Sequence, residues 1–334
     1  MDIRVSLGSA HALGMTDKRV DAVATAAHLM VGEACDYACA FCSQGRKSAS
    51  PRHFLSRISW PSFPMDEVAR CLAAAFENNV VSRGCLQVVH GGAYVHEMER
   101  FFYLLHRTGC EVPLAVNTVV RSTVEADRIF ALGADRLGLA LDAASPEAFA
   151  QCKGLSPGEW VSRIELLCDL AQIYRGRIST HLIVGLGETE RDIVDVLQVM
   201  ADAGVTVGLF AFTPVRGTPL EEHPAPSLAA YRRVQLASYL LARKLARGDD
   251  FEFDRQDRIA LIPSDLLGPE VTEEGRPFRT SGCEGCNRPY YNERPGQIPY
   301  NYARPLKGVE AQRALEATEL FSQVTTFLEA EASS

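Results

Sequence analysis

Between residues 64 and 262 the chain alternates short apolar runs with longer stretches whose apolar positions recur every three or four residues. The first pattern is that of a buried strand, the second that of an amphipathic helix. A helical stretch over Met65–Asn78 precedes a strand over Cys85–His90, and Glu97–Arg107 precedes Pro113–Asn117. Val124–Leu132 precedes Arg136–Asp142, Glu159–Tyr174 precedes Ile178–Val184, and Arg191–Ala203 precedes Thr206–Phe212. A long helix over Ala229–Ala246 follows, and Arg258–Ile262 is a further strand candidate. Ahead of these units Thr25–Val31 (TAAHLMV) reads as the first strand.

Buried strands joined through helices by short connections predict an α/β fold with a parallel sheet. Six or more such units predict a (β/α) barrel, partial or complete, of six to eight units over residues 25–268, in preference to an open doubly wound sheet. The active site of such a barrel lies at the carboxyl ends of its strands. Residues 1–24 carry no chemical signal and are expected to cap one end of the core. After Gly268 the alternation gives way to a Gly/Pro/Tyr/Asn-rich segment and a helical tail over Val309–Ala332. This extension, residues 269–334, is expected to cover the barrel mouth.

Composition narrows the function classes. The 334 residues are 47% hydrophobic and 23% charged, as in a globular protein with a sizeable core. A formal charge of −8 argues against a nucleic-acid binder. No apolar run reaches the length of a membrane span and Val5–Met15 makes a poor signal sequence, so a cytosolic protein without membrane contact is expected. Ten cysteines in such a chain read as metal ligands where they cluster and as small buried hydrophobes where they scatter. Cys71, Cys110, Cys152 and Cys168 fall on helical patterns or helix ends and belong to the second kind.

The first cluster is Cys35-Asp-Tyr-Ala-Cys39-Ala-Phe-Cys42, just behind the first strand. Three thiolates on so short a loop hold three corners of one iron–sulfur cube, and no fourth cysteine is at hand. An iron with open positions is a place for chemistry, whereas a four-thiolate cluster mainly carries electrons. The alternative is a structural zinc or iron site, which wants a fourth ligand nearby. The loop continues as SQGRKSASPRHFLSR, where Arg46, Lys47, Arg52 and Arg57 form a basic edge on an acidic protein. That edge is either solvated surface or a docking site for an acidic partner.

The second cluster is Ser281-Gly-Cys283-Glu-Gly-Cys286. A redox dithiol would open a helix in a thioredoxin-like unit, but this pair sits in a Gly/Pro-rich segment. Half of a zinc knuckle and half of an auxiliary iron–sulfur site remain as readings.

The Cys35–Cys39–Cys42 loop, with Phe41 before its last cysteine, resembles that of the radical S-adenosylmethionine (SAM) enzymes. The resemblance implies a [4Fe–4S] cluster whose open iron chelates the methionine part of S-adenosyl-L-methionine, and a 5′-deoxyadenosyl radical that takes hydrogen from an unactivated carbon. It also implies cofactor contacts at Gly91-Gly92 after the second strand, and at the turn of Gly185, Gly187 and Glu188 after the fifth. Further contacts are implied for Thr213-Pro214-Val215 after the sixth. Asn117 and Asp142, at the ends of the third and fourth strands, are polar contacts to the cofactor or helix caps.

The segments LSRISWPSF, THLIVGLGETE, LFAFTPVRGTPLE and FRTSGCEGCNRPYYNERPG together look like the first radical protein of the two-component lipoyl synthases. This wider resemblance runs from about Thr25 to Pro305. It implies sulfur insertion, at C6 rather than C8, into an octanoyl chain on a lipoyl-carrier protein, with a sister radical SAM subunit and an electron donor such as ferredoxin or flavodoxin. An auxiliary [4Fe–4S] cluster at Cys283 and Cys286 would supply the sulfur. Cys85 is the candidate third ligand, as in the related biotin synthase. It shares a strand face with Gln87 and Val89, and facing outward it would be an ordinary buried thiol. Ser281 or Thr280 is the candidate fourth ligand. Tyr290, Tyr291, Tyr300 and Tyr302 line an acyl channel or pack the loop. A biotin-synthase-like enzyme acting on a free small molecule, and a non-catalytic metalloprotein, are the rival readings.

Overall fold

The computed structural model describes residues 1–18, 20, 22–289, 291–293 and 296–321. The chain opens with β1 (Asp2–Val5), α1 (Leu7–Ala12) and β2 (Ala26–Val31), followed by the hairpin β3 (Phe54–Leu55) and β4 (Ile58–Ser59) and the short strand β5 (Ser62–Pro64). Helix–strand alternation then sets in with α2 (Met65–Glu77), β6 (Arg83–Val88), α3 (Tyr94–His106), β7 (Leu114–Asn117), α4 (Thr123–Ala131) and β8 (Arg136–Gly138). It continues with α5 (Pro146–Lys153), α6 (Pro157–Ile173), β9 (Ile178–Val184), α7 (Glu190–Ala203), β10 (Thr206–Ala211) and α8 (Leu228–Ala242). The hairpin β11 (Glu252–Phe253) and β12 (Ile259–Leu261), α9 (Pro269–Thr272) and α10 (Gly308–Glu316) complete it.

Eight strands form one sheet in the order β10-β9-β8-β7-β6-β2-β1-β5. The six from β2 to β10 are parallel, one for each unit expected. Local chemistry sets the element ends. Ser156 and Thr189 close capping boxes with Glu159 and Asp192 at the starts of α6 and α7, and Gly204 ends α7 in the left-handed region. The apolar face of α2, from Met65 through Val68 and Leu72, is buried.

Several elements depart from the pattern-based expectation. Residues 1–24 do more than cap, since β1 pairs antiparallel with both β2 and β5 and widens the sheet. The second parallel strand lies two residues earlier than expected, and His90 falls in a loop where its carbonyl accepts from Asp36 N. β8 stops at Gly138, where a Cβ would overlap the Asn117 amide, and the chain rejoins the sheet only at Asp142 (φ 69°), which bridges to Leu182. Residues 258–262 contribute β12, which pairs with β11 and not with the barrel. The C-terminal tail is helical over α10, and the expected helix beyond residue 321 lies outside the described residues.

The C-terminal extension packs along the β10 edge of the eight-stranded sheet and at the strand N-termini. Ser281 Oγ accepts from Leu209 N, Arg288 donates to the Leu209 carbonyl, and Asn292 donates to the Ala211 carbonyl, so polar groups cover the edge of β10. Tyr291 of the same extension packs beside His28 of β2, a strand inside the sheet. At the strand N-termini Thr25 N donates to Asn287 Oδ1, and its hydroxyl donates to the Gly285 carbonyl.

A buried ion pair ties the outer layer together. Arg233 of α8 meets Glu190 of α7 at 2.6 Å and donates to the Thr318 carbonyl, while Glu190 accepts from Ile259 N of β12. Arg233→Met leaves Glu190 buried and uncompensated, and a loss of about 3–5 kcal/mol is expected in denaturant unfolding.

Candidate active site

Alternate residues of the parallel strands face one interior cavity of about 220 Å³. They include Ala26 and His28 from β2, Arg83, Cys85 and Gln87 from β6, Asn117 from β7, Ser179, His181 and Ile183 from β9, and Gly208 and Phe210 from β10, with Thr180 and Ala211 interrupting the alternation. The period of two is that of strands curved around a common interior. Phe41 and Cys42 enter from the carboxyl ends of the strands, with Phe212, Thr213 and Val215. Gly282, Cys283, Cys286 and Arg288 enter from the C-terminal extension.

The upper thiol loop follows β2 and is held by its backbone. Asp36 N donates to the His90 carbonyl at 2.7 Å, Ala40 N to the Cys152 carbonyl at 2.6 Å, and Arg46 N to the Tyr37 carbonyl at 2.8 Å. Gly91 lets the loop pass, because a Cβ there would overlap the Ala34 carbonyl oxygen. Gly91→Ala is therefore expected to displace the loop and cost most of the iron bound there, read by iron analysis of anaerobically reconstituted protein. Burial pushes the Cys39 thiol up, and it pushes Cys42 up to about 12. Such thiols keep their protons near neutral pH unless a metal displaces them.

The lower thiols gather at the other end. Cys85 accepts from Asn117 Nδ2 at 3.0 Å and from Gln87 Nε2 at 3.2 Å. Burial, then the neighbouring Cys286 and Cys283, push its thiol up to about 12. Cys286 Sγ lies 3.6 Å from His28 Nε2. Burial and then the Arg288 cation hold His28 down to about 3 and His181 down to about 4, so both rings are neutral. Cys283 and Cys286 also line an outer concavity at the strand N-termini, together with Arg243, Lys244 and Arg279. Cys85 thus faces inward, toward the pair. Among the described residues no three His, Cys, Asp or Glu side chains converge as a single metal ion requires.

The remaining predicted residues divide. Asn117, Asp142, Thr213 and Val215 line the cavity with Phe41. Cys35, Cys39, Gly91, Gly92, Gly185, Gly187, Glu188 and Pro214 do not line it, but stand on the loops at the carboxyl ends of β2, β6, β9 and β10. Gly185 and Gly187 have φ of 102° and 114°, and the Glu188 carboxylate accepts from the backbone N–H of Gly185 and Leu186. Ser281 lines the outer concavity, and the Thr280 hydroxyl donates to the Asn287 carbonyl. Of the tyrosines, Tyr291 lines the cavity. Tyr300 donates to the Pro226 carbonyl, Tyr302 packs on Phe278 and Leu306, and Tyr290 lies outside the described residues.

Sequence reasoning passed over His28, His181, Arg288 and Lys153. Lys153 is buried in an ion pair with Asp142, and its charge offsets part of the burial that raises Cys39. A histidine in the otherwise apolar run AAHLMV was the available signal, since a buried imidazole needs a reason. Lys153 had none, because α5 is only eight residues long.

Both thiol sets fit iron–sulfur chemistry. The upper one is a pinned three-thiol loop beside an open cavity. The lower one places three partly buried thiols, drawn from two parts of the chain, near a neutral imidazole.

Over 163 residues the chain is 28% identical to the uncharacterized protein MJ0785 of Methanocaldococcus jannaschii, covering 48% of this chain and 42% of that one. HydG, a maturase of the [FeFe]-hydrogenase, superposes with a TM-score of 0.52 at 11% identity over 65% of this chain and 50% of its own. Methylornithine synthase (PylB) gives a TM-score of 0.47 at 16% identity over 71% of this chain and 65% of its own. The chain thus spans half or less of the first two proteins, and at 11% identity the HydG structure speaks to fold alone. Residues 29–200 match the Radical SAM superfamily, a stretch that begins within β2 and ends within α7. With just over half its length in that match and the three-thiol loop inside it, the chain belongs to the radical SAM superfamily.

Proposed function

We propose that this radical SAM enzyme inserts sulfur into a saturated carbon of an octanoyl-lysine chain carried by a lipoyl-carrier protein, working with a sister radical SAM protein. One observation carries the reading: Cys42 on one side and Cys85, Cys283 and Cys286 on the other line a single cavity. A saturated C–H bond offers polar catalysis no acid, base or leaving group. When bound, a [4Fe–4S] cluster with S-adenosyl-L-methionine supplies a carbon radical that takes such a hydrogen, and an auxiliary [4Fe–4S] cluster supplies sulfide to the carbon left behind.

The chain's own residues have the remaining tasks. Phe41, Ile183, Phe210, Phe212, Val215 and Tyr291 give the cavity a mainly apolar wall suited to an acyl chain and to excluding water. Gln87 and Asn117 turn their amides to Cys85 and orient its sulfur. Arg46 and Lys47 are exposed on the cysteine loop and offer a docking edge to an acidic carrier, whereas Arg52 turns onto the Gln44 carbonyl. Resemblance to the two-component lipoyl synthases favours C6, and a ferredoxin or flavodoxin as electron donor.

The test is mass spectrometry of an octanoyl-lysine carrier incubated anaerobically with the protein, reductant and S-adenosyl-L-methionine, with and without the sister protein. A gain of one sulfur is expected. No change under either condition overturns the reading, and sulfur on a free small molecule instead assigns a biotin-synthase-like activity.

A further inference from the structure

His28 is the one polar residue in β2, between Ala27 and Leu29, and only 2% of it is exposed. Its Nδ1 is buried without a hydrogen-bond partner among the described residues. Its Nε2 faces Cys286 Sγ at 3.6 Å. An unpaired buried polar atom costs about 1–3 kcal/mol, so a histidine kept here with its Nδ1 unpaired needs a compensating role.

Its position supplies one. His28 and Cys85 are paired residues across β2 and β6, and both line the interior cavity. Cys283 and Cys286 face the same cavity from the C-terminal extension. Three thiols and one imidazole are thereby drawn together from two strands and a loop.

The competing donors are committed elsewhere. Ser281 Oγ accepts from Leu209 N at 2.8 Å, and the Thr280 hydroxyl donates to Asn287 O at 2.7 Å. His181 faces the cavity too, but its ring stacks edge-on against Phe210 at 5.2 Å. Gln87 and Asn117 already donate to Cys85. We propose that His28 is the fourth protein ligand of the iron–sulfur cluster bound by Cys85, Cys283 and Cys286, reaching iron through the nitrogen that faces Cys286. The assignment rests on the auxiliary-cluster reading above. A neutral imidazole in place of a thiolate leaves a cluster one charge less negative and raises its reduction potential.

The test uses the full chain with Cys35, Cys39 and Cys42 all replaced by alanine, so that one cluster remains, and with 15N-labelled histidine. After anaerobic reconstitution and reduction, pulsed electron paramagnetic resonance is expected to show a directly bound nitrogen that changes with the label. His28→Cys is expected to keep about four irons, as one [4Fe–4S] cluster requires, and to lose that signal while its midpoint potential falls. A full cluster without histidine coupling overturns the assignment and leaves the auxiliary cluster standing. Absence of iron in the triple variant overturns the auxiliary cluster and this ligand with it. The labelled spectrum alone carries the test if His28→Cys does not fold.

Discussion

Replacing Cys283 and Cys286 with alanine is expected to leave reductive cleavage of S-adenosyl-L-methionine near the unaltered rate and to reduce sulfur transfer to background. The geometry behind this split is the distance between the two thiol sets. Cys286 lies beside His28, three residues before the end of β2, so the pair sits at least about 10 Å below the upper loop at the usual strand rise. No backbone bond that pins the upper loop involves the extension's cysteines. The extension is held in place by groups other than its thiols. Asn287 and Gly285 bond to Thr25, and Arg288 donates to the Ser281 carbonyl at 2.8 Å. Iron should fall from about eight to about four per chain, the difference of one [4Fe–4S] cluster. Product analysis beside cofactor-cleavage assays checks the split, and sulfur-containing product from this variant would refute the donor assignment.

The reciprocal experiment removes the radical source. Alanine at Cys35, Cys39 and Cys42 together is expected to abolish cofactor cleavage, and about four irons should remain at the lower site. A single substitution should suffice for most of the loss, because a cube held by two thiolates on a short loop lacks a corner. Cys42 is the most telling position, since it is the thiol of the three that lines the cavity. Cleavage that survived the triple change would place the radical chemistry somewhere other than this loop.

The upper site was legible because all three of its thiols, and Phe41 between them, lie on one loop, so spacing alone carries the geometry. The parallel strands were legible too, since each is an apolar run between amphipathic helices. The lower site was visible only as parts. Cys283 and Cys286 read as half of a metal site, but which end of the strands they reach depends on where Asn287 and Gly285 find Thr25, some 260 residues away. His28 was concealed by its own strand, where five apolar neighbours make one polar residue look incidental. The widened sheet was hidden for a different reason. β1 has four residues and β5 three, too few for any periodicity to register. Asp142 ends a predicted strand at a backbone angle that no side-chain pattern reports.

The two ends of the cavity are assigned different work: the upper thiols make the radical and the lower thiols hold the sulfur that it captures. The most direct measurement is isotopic. The protein is reconstituted with 34S-sulfide, freed of excess label, and given octanoyl-lysine carrier, reductant, S-adenosyl-L-methionine and the sister protein. Product carrying 34S in the unaltered protein, and none from the Cys283→Ala/Cys286→Ala variant, is the predicted result. Product whose sulfur is unlabelled, or labelled product from that variant, would contradict it.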